Sequence, residues 1–259
     1  MSNSTALTPV QKLKRSLSAE SVQEQFKNAL QDNAGIFTAS LIDIYNNDSY
    51  LQRCDPNKVI MEALKAATLK LPINKNLGFA YIVPYGNDPQ FQIGYKGYIQ
   101  LAMRTGQYKF VNADVVYEGE LKSCNKLTGE IDLDGEATND KVIGYFAYIE
   151  TVNGFKKTVY WTKEKVTAHA KRYSKSYSKS TSAWKTNFDE MALKTVLRNI
   201  LSHYGIMSVE MMSAFTSDAD ERNVDAKVED EINENANQQV IDIDLEIKED
   251  KLADEGPGF

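Results

Sequence analysis

The chain has 259 residues, a quarter of them charged, a net charge of −6, and only two cysteines and two histidines. That length can bury a real core as one large domain or one domain plus extensions. No apolar run reaches the length of a membrane span, and the first residues lack the apolar centre of a signal peptide, so a soluble cytoplasmic protein with no membrane partner is expected. Cys54 and Cys124 are far apart and outside any Cys-x-x-Cys pair, which indicates free thiols and argues against a disulfide framework or a zinc site.

Thr8-Pro9 reads as an N-cap and first helical residue, and Ser21 with Glu24 fits a capping box ahead of Phe26 and Leu30. Two short helices are therefore expected within residues 9–45. Asp55-Pro56 opens a stronger helix, with Val59, Ile60, Ala63, Leu64 and Ala67 on one face, that ends near Leu71-Pro72. The period then changes. Segments 79–85 and 90–95 are β-rich and flank Gly86-Asn87-Asp88-Pro89, a hairpin signature; residues 96–105 are helical up to Gly106, and 108–117 is a strand. Residues 118–140, rich in Gly, Asp, Asn and Lys, suit a long solvated hairpin or flap. Segments 142–151 and 155–162 flank Asn153-Gly154, which predicts a two-residue turn with positive backbone angles. Helices over 163–173 and 184–204, joined by a loop over 174–183, complete an α+β domain: a small antiparallel β-meander packed with helices, behind a helical N-terminal region.

Charge divides the chain. From Asp218 onward fifteen acids stand against four bases, a net −11, which leaves residues 1–217 at +5. The expected organisation is a helical N-terminal region over 1–50, a core over 51–217, and an acidic tail over 218–259 that is too polar to fold alone. Within the tail, Val240-Ile241-Asp242-Ile243-Asp244-Leu245-Glu246-Ile247 alternates apolar and acidic residues, a pattern suited to adding as a strand to a partner.

The stretch from Lys156 to Arg198 runs against the overall charge, with eleven cations and three anions, a net +8. Tyr160, Trp161, Tyr173, Tyr177 and Trp184 lie among these cations. Aromatics between cations suit nucleic acid, because a base can stack on a ring while its phosphate meets a Lys or Arg. The alternative is a solvated basic surface over ordinary core aromatics. On a helical wheel Trp184, Phe188, Met191 and Thr195 fall together, with Ala192, Val196 and Ile200 extending the apolar arc. Asn187, Lys194 and Arg198 form a stripe beside Met191, a rigid rail for phosphates. Lys194 could instead pair with Glu190, four residues earlier, for about 0.3 to 0.5 kcal/mol; Arg198 has no acid one turn before it and is assigned to phosphate contact.

No Gly-x-x-x-x-Gly-Lys-Ser/Thr loop occurs, so nothing supports a P-loop ATPase, and neither His169 nor His203 has a companion at metal-ligand spacing. Asp114, Glu120 and Lys122 loosely match the Asp...Glu-x-Lys arrangement by which nucleases hold a divalent metal, a match of three common residues with a permissive gap.

Leu77-Gly78-Phe79-Ala80-Tyr81-Ile82-Val83-Pro84-Tyr85, then Gln92-Ile93-Gly94-Tyr95-Lys96-Gly97-Tyr98-Ile99-Gln100-Leu101-Ala102-Met103-Arg104-Thr105-Gly106, resemble the core of the RecT family of phage single-strand annealing recombinases. Val115-Val116-Tyr117-Glu118-Gly119, Trp184-Lys185 and Glu190-Met191-Ala192-Leu193-Lys194-Thr195-Val196-Leu197-Arg198 continue the likeness, which covers roughly residues 55–207 in unbroken order. The resemblance implies a RecT/Redβ-type annealing fold, rings or helical filaments of many subunits, ATP-independent annealing of complementary DNA strands, and phage or prophage recombination beside a partner exonuclease. No cofactor is implied, with Mg2+ at most a modulator of DNA binding.

The expected DNA-binding groove comprises Lys163, Lys165, Lys171, Arg172, Lys175, Lys179, Lys185, Asn187, Lys194 and Arg198, with Lys96, Arg104 and Lys109 from the central segment. Gly94 and Gly97 would allow close backbone approach to DNA, or Gly97 a helix start. Helices within 9–45 are candidates for the contact between subunits. The tail is expected either to compete with DNA for the groove or to recruit host single-stranded-DNA-binding protein or the exonuclease. Its ending, Asp254-Glu255-Gly256-Pro257-Gly258-Phe259, loosely resembles the Phe-terminated tip of that host protein.

Overall fold

A computed structural model describes residues 7–174 and 176–218. Met1–Asn223 is one compact unit; the second, Val224–Phe259, lies outside the described residues. So do the expectations for Lys175, for the alternating run and chain end, and for tail disorder.

Three helices open the described chain where the sequence suggested two: α1 (Pro9–Leu17), α2 (Glu20–Leu30) and α3 (Ala34–Asn47). Thr8 and Gln11 form a reciprocal capping box on α1. The box expected at Ser21 and Glu24 does not form, because α2 starts at Glu20 behind Ala19 and carries Ser21 inside its first turn. Helices α1 and α2 pack on α4 (Pro56–Thr68), which Asp55 caps through the Asn57 N–H at 2.7 Å, and α3 packs on α1 and α2. Leu13, Phe26, Leu41 and Tyr45 bury their side chains there.

The hairpin β1 (Ala80–Tyr85) and β2 (Asp88–Ile93) pairs Tyr85 with Asp88, so its turn is just Gly86-Asn87. Helix α5 (Tyr95–Arg104) follows without a linker, then β3 (Tyr108–Tyr117), the small flap pair β4 (Ser123–Cys124) and β5 (Ile131–Asp132), β6 (Val142–Thr151) and β7 (Lys156–Thr162). The principal sheet is antiparallel in the order β3-β6-β7. On central β6, Tyr145, Ala147 and Ile149 point into the core while Phe146 and Tyr148 are half-buried, the period-two alternation of a strand with one covered face. Four residues, 152–155, lie between β6 and β7, and the turn spans three of them, 152–154, not two. Gly154 N–H returns to the Thr151 carbonyl and Gly154 alone takes positive φ, +87°, a turn followed by a glycine bulge. Asn153 keeps negative φ and uses its carboxamide oxygen on the Phe155 N–H instead.

Helix α6 (Lys163–Tyr173) begins at the Thr162 cap, as its sequence predicts. The next helix is interrupted: α7 (Ala183–Thr186) and α8 (Phe188–Tyr204) meet at Asn187, whose φ and ψ of −140° and 53° are not helical. Helix α8 packs on all three strands of the principal sheet and on α5, which explains its buried middle, residues 192–198, 200 and 201. A last helix, α9 (Val209–Ser217), capped by Ser208 and packed on α5, was not anticipated from sequence.

The root of the β1–β2 hairpin depends on two glycines. A Cβ on Gly94 would run into the Gly78 carbonyl, and one on Gly97 into the Phe79 carbonyl, while Gly94 N–H donates to that same Phe79 carbonyl at 2.9 Å. The close approach these glycines permit is thus between hairpin root and helix start, both backbone, and any side chain must displace main chain. We expect Gly97→Ala to lower unfolding free energy by about 1–3 kcal/mol, the usual range for overpacking, read as a lower denaturant midpoint with unchanged m-value.

Candidate nucleic-acid interface

A cleft of about 380 Å³ separates the β1–β2 hairpin from the 174–182 loop. One wall carries Val83, Pro84, Tyr85 and the Gly86-Asn87 turn; the other carries Ser176, Lys179, Thr181 and Ser182; Trp184 and Met191 lie at the base and Tyr50 and Arg53 at the mouth. The loop is held by its serines. The Ser174, Ser176 and Ser182 hydroxyls are linked at 3.2 and 3.1 Å, and Ser182 also accepts from the Trp184 N–H at 3.3 Å. Trp184 is buried edge-on against Phe188, which makes it a packing anchor. On the hairpin side the Gln92 amide donates to the Tyr85 hydroxyl at 2.6 Å.

Several predicted cations are exposed and lie over aromatic rings. Lys165 Nζ is 4.3 Å from the Trp161 ring centre, Lys185 Nζ 4.4 Å from Tyr177, Arg172 5.6 Å from Tyr173 and Lys163 5.9 Å from Phe188. Burial against Trp161, and then the nearby Lys126, hold the Lys165 ammonium below the usual lysine pKa. Trp161, His169 and Tyr173 pack in series, edge-on and then tilted, with ring centres 5.3 and 4.5 Å apart, an aromatic base beneath Lys165 and Arg172. Lys171, Lys179 and Asn187 are exposed as well. Asp189, an anion within the basic stretch, is occupied by the Tyr145 hydroxyl at 2.5 Å; burial, then this contact, raise the phenol pKa.

The central-segment cations do other work. Arg104 donates to the Leu69 and Lys70 carbonyls at 2.7 and 2.9 Å, closing the C-terminal end of α4 where those groups lack helical partners. Lys109 pairs with Glu150 at 3.0 Å, and the Lys109 ammonium and Tyr148 hydroxyl together hold that carboxyl below its usual range. Lys96 is exposed beside the Tyr95 ring, with its stem over Gly78.

Lys194 and Arg198 depart furthest from expectation. They do not form an exposed rail: they are 5% and 9% exposed on the covered face of α8. Lys194 pairs at 2.9 Å with Asp218, a carboxylate from beyond α9, and not with Glu190. Tyr98 donates to the same carboxylate at 2.8 Å. Arg198 donates to the Tyr98 oxygen at 2.7 Å and to the Phe215 carbonyl at 3.2 Å, with its guanidinium 4.6 Å from the Phe215 ring centre. The physical reason is the unanticipated α9, whose Phe215 lies against Arg198 and whose C-terminal end places Asp218 against Lys194. Asp218, which opens the acidic tail in the sequence, is thus only 1% exposed.

Arg53 and Tyr50 were missed. An isolated arginine gives no charge-density signal, and hairpin contact across thirty residues is not written in local pattern. Of the loose nuclease pattern, Glu120 accepts the Tyr117 N–H at 2.7 Å and Asp114 the Val115 N–H at 2.8 Å. Among the described residues no three His, Cys, Asp or Glu side chains group where a metal ion could sit, and no helix is long and apolar enough to cross a membrane.

The model of the RecT family matches residues 35–237. The chain belongs to the RecT family. Over 211 residues it is 53% identical to the uncharacterized protein YqaK of Bacillus subtilis (strain 168), across 81% of this chain and 73% of that protein. It is also similar to protein RecT of Escherichia coli (strain K12), at 29% identity over 183 residues, 66% of each chain. Membership supports a role in DNA recombination and strand annealing for this RecT-family chain.

The Asp218 network makes a prediction about truncation. A chain ending at Ser217, or one carrying Asp218→Ala, should lose about 1–3 kcal/mol relative to the full chain, since the Lys194 ammonium and the Tyr98 hydroxyl lose a buried acceptor. Thermal or urea unfolding of the three chains checks this.

Proposed function

We propose that this chain binds single-stranded DNA along the exposed cations of α6, the 174–182 loop and α7, anneals it to a complementary strand without nucleotide hydrolysis, and holds the product duplex in a homo-oligomeric ring or filament. The observation that carries this reading is the cleft between hairpin and loop. It is bounded by Lys179 and Arg53, offers the exposed Tyr50 ring, and adjoins Lys185, which is braced on the Tyr177 ring next to the lining Trp184. Such a surface engages phosphates by charge and bases by stacking, neither of which depends on sequence. Pairing with the second strand then supplies the specificity. Annealing needs no fuel, because each base-pair step gains about 1.4 kcal/mol of stacking; what opposes it is phosphate repulsion, which bound cations neutralise.

The groove in this proposal is shorter than the sequence suggested. Lys163, Lys165, Lys171, Arg172, Lys179, Lys185 and Asn187 remain in it, Lys96 stands near the hairpin root, and Arg53 joins it. Lys194, Arg198, Arg104 and Lys109 are assigned to holding the fold. We further assign the N-terminal helices to subunit contact, and the region beyond Asp218 to recruiting a single-stranded-DNA-binding protein or an exonuclease.

The test adds two complementary oligonucleotides one after the other to the protein without ATP, scoring pairing by fluorescence and strand length on a gel. Accelerated pairing with intact, protein-bound strands is expected. Binding without pairing would reduce the protein to a passive coat, and shortened strands would point to a nuclease. Arg53→Ala with Lys179→Ala should weaken single-strand binding about tenfold near 0.1 M salt and reduce the slope of log affinity against log salt by about 1; an unchanged slope would place the strand elsewhere.

A further inference from the structure

A second depression, about 790 Å³ in volume, opens on the other side of the hairpin turn, among α1, the start of α4 and the segment preceding it. Its lining includes Lys12, Arg15, Arg53 and Lys58 against a single carboxylate, Asp55. All four cations are exposed. Asp55 is engaged by the Asn57 N–H, and the Lys58 contact with Asp88, at 3.1 Å, joins two side chains that are 62% and 57% exposed, which water screens almost completely. Two sequence-distant segments, α1 and residues 53–58, therefore bring positive charge to one concave surface with little to neutralise it.

This depression is not separate from the cleft. Arg53 and Asn87 line both, so the two meet beneath the hairpin turn. At the junction the Arg53 guanidinium lies 5.0 Å from the centre of the Tyr50 ring, itself 62% exposed, a cation fixed on a stacking platform. A polyanion leaving the cleft by way of Arg53 enters the depression that Lys12, Arg15 and Lys58 also line.

We propose that the N-terminal depression is a second segment of the single-strand path, in which the DNA held between hairpin and loop passes under the Gly86-Asn87 turn and sets its next phosphates on Lys12, Arg15 and Lys58. This rests on the single-strand reading above and extends it to a part of the chain assigned so far to subunit contact. It gives Tyr50 and Arg53 the role of the bend between the two segments. Because backbone charge is all these cations read, the segment takes any base sequence.

The experiment compares the full chain with its Lys12→Ala/Arg15→Ala/Lys58→Ala variant on labelled oligothymidylates of about 5 and about 15 nucleotides, spanning the usual range of single-strand sites. The short strand should bind both proteins within about twofold, while the long strand should bind the variant about tenfold more weakly, with a salt slope smaller by about 2. Lys12→Arg with Lys58→Arg, which keeps the charges, should match the wild type and so control for folding. Equal long-strand affinity and slope in the triple variant, or an equal loss for both lengths, would overturn the extended path while leaving the cleft intact. A wild-type chain that binds neither strand would sink the single-strand reading and the extension with it.

Discussion

A lysine and an arginine taken out of water on the inner face of a helix must find counter-charge and hydrogen-bond acceptors, or the helix cannot be buried there. In α8 that requirement is met by a group that local sequence does not advertise. The Asp218 carboxylate receives Lys194 and the Tyr98 hydroxyl, while Arg198 is satisfied by Tyr98 and the Phe215 carbonyl. The arrangement joins α5, α8 and the end of α9 through polar contacts at the centre of the C-terminal half. Since α8 also backs the three-stranded sheet, the surface elements that follow β7 are mounted on a part of the protein whose charges are already spent internally.

The basic surface is built differently. Its cations stand on rings: Lys165 on Trp161, Lys185 on Tyr177, Arg172 on Tyr173. A ring below an ammonium limits the loss of side-chain freedom on meeting a phosphate, because the stem is packed before the ligand arrives. The serine chain at 174, 176 and 182 serves the loop in the same way, fixing backbone beside the cleft with short hydroxyl contacts.

Much of this was legible in the sequence, for reasons that can be named. The caps at Thr8, Asp55 and Thr162, the hairpin at Gly86-Asn87-Asp88-Pro89 and the strand over 142–151 are local signals whose physics acts within a few residues. Density of charge likewise marked α6 and the following loop. What failed was everything settled at long range. The wheel placed Lys194 and Arg198 in one stripe but could not tell whether that stripe faced water, because the helix that covers it had no strong amphipathic signature. Arg53 carried no weight alone, and it matters because a hairpin some thirty residues later folds beside it. Gly94 and Gly97 were recognised as places of close approach, although what approaches is the chain itself.

That last contact fixes how the hairpin is attached. With the Gly78 and Phe79 carbonyls seated directly on Gly94 and Gly97, no side chain lies between hairpin root and α5 to act as a compliant washer. Helix α5, on which the hairpin root is seated main chain to main chain, carries Tyr98 into the ionic junction with α8 and Arg104 onto the end of α4, so the hairpin is keyed to both halves of the compact unit through a single helix.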